Sequence, residues 1–254
     1  MPVMPGAEPY HHDGGAVGVL LCHGFTGSPQ ALRPWAEYLA RAGVTVALPR
    51  LPGHGTTWQE MNRTRWEDWY ASLDKALADL RGHCSEVFVM GLSLGGCMAL
   101  RLAEIHGDGV RGVVVVNPSI VNDTPLLRLA PALKWMLPSV PGVVGDIKRE
   151  GMAEVGYSRT PVRAASTLPK LWKLVQSDLD KITQPVLVFH SRDDHVVKPA
   201  SVAFLRARMG DNLETRELVN SYHVATLDND AGSIFEGSLD FIRSHASVPL
   251  TKDL

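Results

Sequence analysis

The stretch Glu86-Val87-Phe88-Val89-Met90-Gly91-Leu92-Ser93-Leu94-Gly95-Gly96 decides how the rest of the chain is read. Its first half is a short apolar run rich in β-formers, too short for a helix of its own, and reads as a buried strand. It closes in Gly-x-Ser-x-Gly, and Cys97 to Ile105 then reads as a helix stopped by Gly107. A serine at such a strand-to-helix turn is forced into a strained backbone conformation. Side chains at Gly91 and Gly95 would collide with the neighbouring strand and helix, so both positions need glycine. The strain lifts the Ser93 hydroxyl above the sheet, at the positive end of the following helix. The turn has the form of a nucleophile elbow.

Outward from that turn, strands and helices alternate. Towards the N-terminus, residues 1 to 14 are rich in Pro, Gly and His and read as a loose arm with at most one short edge strand. Ala16 to Cys22 reads as a buried strand running straight into His23-Gly24-Phe25-Thr26-Gly27, a turn whose backbone amides can approach a ligand closely. A helix over Pro29 to Arg41 follows, with Gly43 as its stop, then a strand over Val44 to Leu48 and the loop Leu51-Pro52-Gly53-His54-Gly55. His54 comes too early in the chain to serve as a base and is read as structuring its loop. Trp66 to Arg81 is an amphipathic helix, with Trp66, Trp69, Tyr70, Leu73, Leu77 and Leu80 on one face. Towards the C-terminus, Gly112 to Asn117 is another buried strand, and the alternation implies a parallel sheet with helices on both faces.

The pattern breaks between Ile120 and Lys181. No buried strand is expected there, only short apolar helical pieces punctuated by prolines; Leu126 to Leu137 is apolar with few charges. So apolar an insertion in a domain that already has a core needs something to face. It is expected to form a lid over Ser93, dividing the chain into a first core part (1–119), a cap (120–181) and a second core part (182–254). Sheet pattern resumes at Pro185 to His190, followed by the loop Ser191 to Pro199 and a helix over Ala200 to Met209. A strand over Glu214 to Val219, the loop Asn220 to Val224 and a last helix over Gly232 to His245 complete the chain.

Composition narrows the classes. The chain has 254 residues, 45% of them hydrophobic and 20% charged, which suits one large α/β domain with an insertion. A formal net charge of −2 gives no electrostatic case for nucleic acid or an anionic membrane surface. Three cysteines argue against a disulfide framework and for free thiols in a reducing, cytoplasmic setting. The first cation is Arg33, so no positively charged leader is read, and the run from Ala16 to Cys22 is too short to span a bilayer. Neither stable membrane insertion nor a nucleic-acid partner is expected, and the protein is expected to be a monomer or homodimer.

A serine hydroxyl is a poor nucleophile at neutral pH and needs a neighbouring base. Histidine, with an ordinary pKa of about 6.5, takes and returns a proton near neutrality, and a carboxylate fixes its tautomer. Ser93 is followed by an acidic loop after the Pro185 strand and by His223 after the Glu214 strand. Of the adjacent Asp193 and Asp194, Asp194 is favoured, its neighbour being the better residue to brace the turn. His223 is favoured over His190 and His195, which lie too close to the acid, and over His245, inside the last helix. The amides of Phe25 and Leu94 would form an oxyanion hole, with Gly24 lining the substrate side. No metal or organic cofactor is called for; the histidines form no ligand cluster.

His23-Gly24-Phe25-Thr26-Gly27, Arg50-Leu51-Pro52-Gly53-His54-Gly55-Thr56, Gly91-Leu92-Ser93-Leu94-Gly95-Gly96, Asp194-His195-Val196-Val197 and Asn220 to Asp228 resemble the bacterial monoacylglycerol lipases and the small thermostable carboxylesterases related to them. The resemblance covers nearly everything from Gly18 onward and implies an α/β-hydrolase fold with a small helical cap. It implies Ser93, Asp194 and His223 as triad, Phe25 and Leu94 as oxyanion hole, and Glu154 as the cap glutamate that meets glycerol hydroxyls. The expectation is a serine hydrolase of carboxylic esters, a monoacylglycerol lipase first and a general carboxylesterase second. A binding scaffold without turnover is the reading from another class.

Overall fold

The computed structural model describes residues 1–121, 132 and 136–250. Strands β1 (Tyr10–His12), β2 (Val17–Cys22), β3 (Thr45–Leu48), β4 (Glu86–Leu92) and β5 (Gly112–Val116) precede the 120–181 stretch. Within that stretch lie β6 (Ser139–Pro141) and β7 (Arg159–Pro161), and after it β8 (Val186–Ser191) and β9 (Leu213–Leu218). The main sheet has the order β1-β3-β2-β4-β5-β8-β9, and every pair is parallel except β1 with β3. Because side chains alternate along a strand, β5 sends Val113 and Val115 to one face and Val114 and Val116 to the other, and both sets are fully buried.

Helices cover both faces, as the alternation requires. One face carries α3 (Trp66–Arg81) and α4 (Leu94–His106), preceded in the chain by α1 (Arg33–Arg41) and the single-turn α2 (Trp58–Met61). The α3 stripe Trp66, Trp69, Leu73, Leu77 and Leu80 is buried against β2 and β4, each large apolar side chain contributing about 2 kcal/mol. Its first turn is closed where the Arg65 N–H donates to Asp68 Oδ2 at 2.9 Å. The other face packs α1 through Trp35, Ala36 and Leu39 against the last helix, whose inward side chains include Ile234 and Phe241.

The N-terminal arm is less loose than its composition suggests. The Met4 N–H donates to the Gly55 carbonyl at 2.8 Å, Ala7 is fully buried, and Tyr10–His12 forms the antiparallel edge strand. The 120–181 stretch also holds more than helices: β6 and β7 pair antiparallel as a separate two-stranded ladder, Ser139 opposite Pro161. Proline at one end of each strand is compatible with so short a ladder because it has only edges. Its described helices include α5 (Val162–Ala165) and α6 (Leu168–Asp178). Most of the apolar run from Leu126 to Leu137 lies outside the described residues. The chain then ends its helices with α7 (Ala200–Met209) and α8 (Ala231–His245). Among the described residues no helix is long and apolar enough to cross a membrane.

Candidate active site

A parallel sheet with helices on both faces leaves its crevice at the carboxyl ends of the strands. The turns after β2, β4, β8 and β9 all open there, into a cavity of about 390 Å³ lined by Gly24, Phe25, Ser93, Leu94, Glu154 and His223 among others.

Ser93 sits at φ 57° and ψ −119°, one of three non-glycine residues with positive φ among the described residues. The strain is held in place by the sheet: the Ser93 N–H donates to the Val116 carbonyl at 2.9 Å, and its own carbonyl accepts from Cys97 and Ser119. The glycine argument holds atom by atom. A Cβ on Gly91 would overlap the Gly95 carbonyl group, and one on Gly95 would overlap the Cys22 carbonyl at the end of β2. Leu94 opens α4, so its N–H has no helical acceptor, and the Phe25 N–H has no protein acceptor among the described residues.

His223 and Asp194 meet across the tips of adjacent strands. Nδ1 of His223 lies 2.8 Å from Oδ2 of Asp194, and both side chains are more than nine-tenths buried. Oδ1 of Asp194 accepts from the Val196 and Val197 N–H groups at 2.8 Å each, which fixes the carboxylate. With Nδ1–H donated to Asp194, Nε2 is the free acceptor of the ring. Asp193 is exposed and outside this arrangement. Ser93 and His223 line the one cavity but are not hydrogen-bonded to each other; in hydrolytic sites that bond commonly tightens on the substrate complex. His190 lies half-buried beside Arg206, and His245 bonds the Phe241 carbonyl within α8.

His54 is fully buried and bonds the Pro52 carbonyl, a loop-structuring role. His23, also fully buried, accepts from the Leu51 N–H at Nε2 (3.2 Å) and donates from Nδ1 to the Gly24 carbonyl (3.1 Å). That carbonyl belongs to the same peptide unit as the Phe25 N–H, so the imidazole sets the plane that aims this donor. Burial pushes the His23 pKa down to about 4, with the Arg50 charge adding to the effect. Lowered from the ordinary 6.5, the group favours the folded state above pH 6.5 and loses that contribution as pH falls towards 4. The loss amounts to about 3 kcal/mol. Denaturant midpoints should therefore fall more steeply between pH 6.5 and 4 in the wild type than in His23→Gln. Equal slopes would show that His23 does not carry the acid sensitivity.

Glu154 reaches the same cavity from the 120–181 stretch. Its Oε2 accepts from the Gly145 N–H at 3.0 Å, while Oε1 has no protein hydrogen bond among the described residues. Burial raises its pKa, against the opposing pull of the Gly145 N–H and His223. A Cβ on Gly27 would stand 2.7 Å from Oε1, so the missing side chain there lets the carboxylate lie against the turn after β2. Leu168 and Trp172 of α6, with Val143 and Val197, give the cavity its apolar side.

Two residues at the site carry no sequence motif. Asn117, at φ 45° and buried, donates to the His223 carbonyl at 2.8 Å and accepts from the Ser191 N–H at 2.7 Å, joining the ends of β5 and β8 to the loop after β9. Asp146 bonds the loops of both His223 and His195. The one available signal was Asn117 itself, a polar residue directly after the run of four valines Val113 to Val116. Among the described residues, no group of three or more His, Cys, Asp or Glu side chains could hold a metal ion.

Residues 19–232 match the sequence model of the alpha/beta hydrolase family. The chain is 42% identical over 247 residues to a thermostable monoacylglycerol lipase of Bacillus sp. (strain H-257), covering 96% of this chain and 98% of that protein. It is 26% identical over 243 residues to a carboxylesterase of Bacillus subtilis (strain 168), covering 92% and 96% respectively. A solved structure from work on LipS and LipT, two metagenome-derived lipolytic enzymes, superposes with a TM-score of 0.93 at 41% identity, over 96% of this chain and all of that one.

Proposed function

The chain belongs to the alpha/beta hydrolase family and hydrolyses carboxylic esters, and we propose that Ser93 is its nucleophile and a monoacylglycerol its substrate. The observation that carries the reading is the buried His223–Asp194 bond opening into the cavity that Ser93 lines from a strained turn. His223 Nε2 takes the hydroxyl proton as Ser93 Oγ adds to the ester carbonyl. The Phe25 and Leu94 N–H groups receive the oxyanion, each such donor being worth about 3 kcal/mol in the transition state. His223 then protonates the departing glycerol oxygen, leaving an acyl group on Ser93. Water, deprotonated by the same imidazole, releases the fatty acid. Asp194 keeps the imidazole in the tautomer this sequence needs and stabilises its charged form.

The 120–181 stretch acts as the cap. Leu168, Trp172 and Val143 receive the acyl chain, and the free oxygen of Glu154 accepts from a glycerol hydroxyl. A site that pairs with a diol discriminates far better than apolar contact alone. The relative named a monoacylglycerol lipase supports this choice over a general esterase. Free Cys22, Cys84 and Cys97 support a cytoplasmic location. Glu154→Gln should raise KM for a monoacylglycerol about tenfold while leaving a p-nitrophenyl ester within about twofold. Equal changes in the two KM values would remove the glycerol contact from the reading.

A further inference from the structure

His223 has to present Nε2 to Ser93 within a few tenths of an ångström, yet it stands on a loop. Its side chain is anchored at one point, Asp194. Its main chain is anchored at two more. The carbonyl accepts from Asn117 Nδ2 at 2.8 Å, and the N–H donates to Asp146 Oδ2 at 3.1 Å. Asp146 also takes the next residue, because the Val224 N–H donates to the Asp146 carbonyl at 3.0 Å.

The same carboxylate reaches the other triad loop. Oδ2 accepts from the His195 N–H at 3.3 Å, and Oδ1 lies 2.8 Å from His195 Nδ1. His195 directly follows Asp194. One side chain, brought from a stretch about fifty residues upstream, therefore bonds the backbone of the base and the backbone next to the acid. Its segment is itself pinned. Lys148 and Arg149 donate their N–H groups to Asp228 at 2.7 and 2.9 Å, and the Tyr222 N–H shares that buried carboxylate. Gln30 pairs in both directions with Ala153 and Val155. Tyr157 donates its N–H to the Thr26 carbonyl and its hydroxyl proton to the Gly53 carbonyl. The span from Asp146 to Tyr157 is thus a fixed wall bonded to the core.

We propose that Asp146 is a positioning residue that holds the loops of His223 and Asp194 in register, so that the cap stretch forms part of the catalytic frame. This rests on the triad reading given above. The carboxylate touches neither Ser93 nor the reacting atoms; it acts through the His223 main chain. Removing it leaves the part-buried His223 N–H and the exposed His195 N–H without this acceptor and frees the base loop to drift, and a displacement of about 1 Å at a reacting group can cost about 10² in rate.

The test compares Asp146→Ala, Asp146→Asn and Asp146→Glu in the full chain with a p-nitrophenyl ester. The expected result for Asp146→Ala is a kcat lowered at least about tenfold, KM within about twofold, and fluorophosphonate labelling of Ser93 slowed in parallel. Asp146→Asn keeps an oxygen acceptor for the His223 N–H and should restore kcat to within about threefold of wild type. Asp146→Glu keeps the charge but moves it by one methylene, and should lose at least about fivefold in kcat; it supplies the test if the alanine variant does not fold. Wild-type kcat in Asp146→Ala or Asp146→Glu overturns the proposal, as does an asparagine variant as impaired as alanine. Turnover surviving in Ser93→Ala would overturn the triad instead, so the two failures are told apart.

Discussion

Ser93→Ala is expected to lose at least about 10³, and as much as about 10⁶, of kcat for ester hydrolysis while folding as the wild type does. In the proposed mechanism the hydroxyl oxygen is the atom that bonds to the substrate carbonyl, and no neighbouring group replaces it. The variant keeps the Phe25 and Leu94 donors, the His223–Asp194 pair and the cavity wall, so substrate should still bind. Folding should survive because the strained turn is held by backbone bonds, Ser93 N–H to the Val116 carbonyl and Cys97 N–H to the Ser93 carbonyl, which alanine retains. Initial rates on a p-nitrophenyl ester and on a monoacylglycerol, with a thermal melt beside them, decide the matter. Near wild-type turnover in a folded Ser93→Ala protein would discard the covalent mechanism.

Gly95→Ala should have the largest effect on stability. Helix α4 begins so close to the end of β2 that the added methyl would overlap the Cys22 carbonyl, and the His23 carbonyl oxygen lies 2.7 Å from the same point. Both obstacles are backbone in the central part of the sheet, where nothing rotates aside. Either α4 moves away, carrying Ser93 and the Leu94 N–H with it, or the chain does not fold. A loss above about 4 kcal/mol is expected, in the range reserved for buried strain or overpacking. Gly232→Ala is the control, since a Cβ there meets nothing within 4 Å and helical alanine is favoured over glycine by up to about 1 kcal/mol. Denaturant midpoints and soluble yield read both; a Gly95→Ala protein with a wild-type midpoint would refute the packing argument.

These two variants touch the part of the molecule that was most legible beforehand. Gly91, Ser93 and Gly95 obey a local rule, a sharp turn between a strand and a helix, and the structure supplies the overlapping atoms that the rule requires. The stripe from Trp66 to Leu80 was legible for a similar reason, because helical periodicity by itself says which face is buried. Asp193 and Asp194 are harder to tell apart from the sequence, since adjacent residues share every local property. Bond geometry separates them, Asp194 lying 2.8 Å from His223 and Asp193 facing solvent.

Other features could not be read. The ladder of β6 and β7 joins segments about twenty residues apart, and neither three-residue strand is long enough to show an alternation. Proline and glycine in the first fourteen residues gave the impression of a loose arm, yet Ala7 fits against Gly55 and is fully buried. Asp146 carries no motif that singles it out, and only the fold shows it bonding two loops at once.

The amino-acid sequence determined the strand-and-helix alternation, the strained serine turn and the three side chains proposed as the triad, because spacing, periodicity and glycine requirements act between near neighbours. Tertiary structure decided which aspartate faces the imidazole, which peptide His23 orients, and that Asn117 and Asp146 hold His223 from both sides. The contacts of His223 with Asp194, Asp146 and Asn117 join residues 29, 77 and 106 positions apart, and no local preference records a distance that only the folded sheet creates.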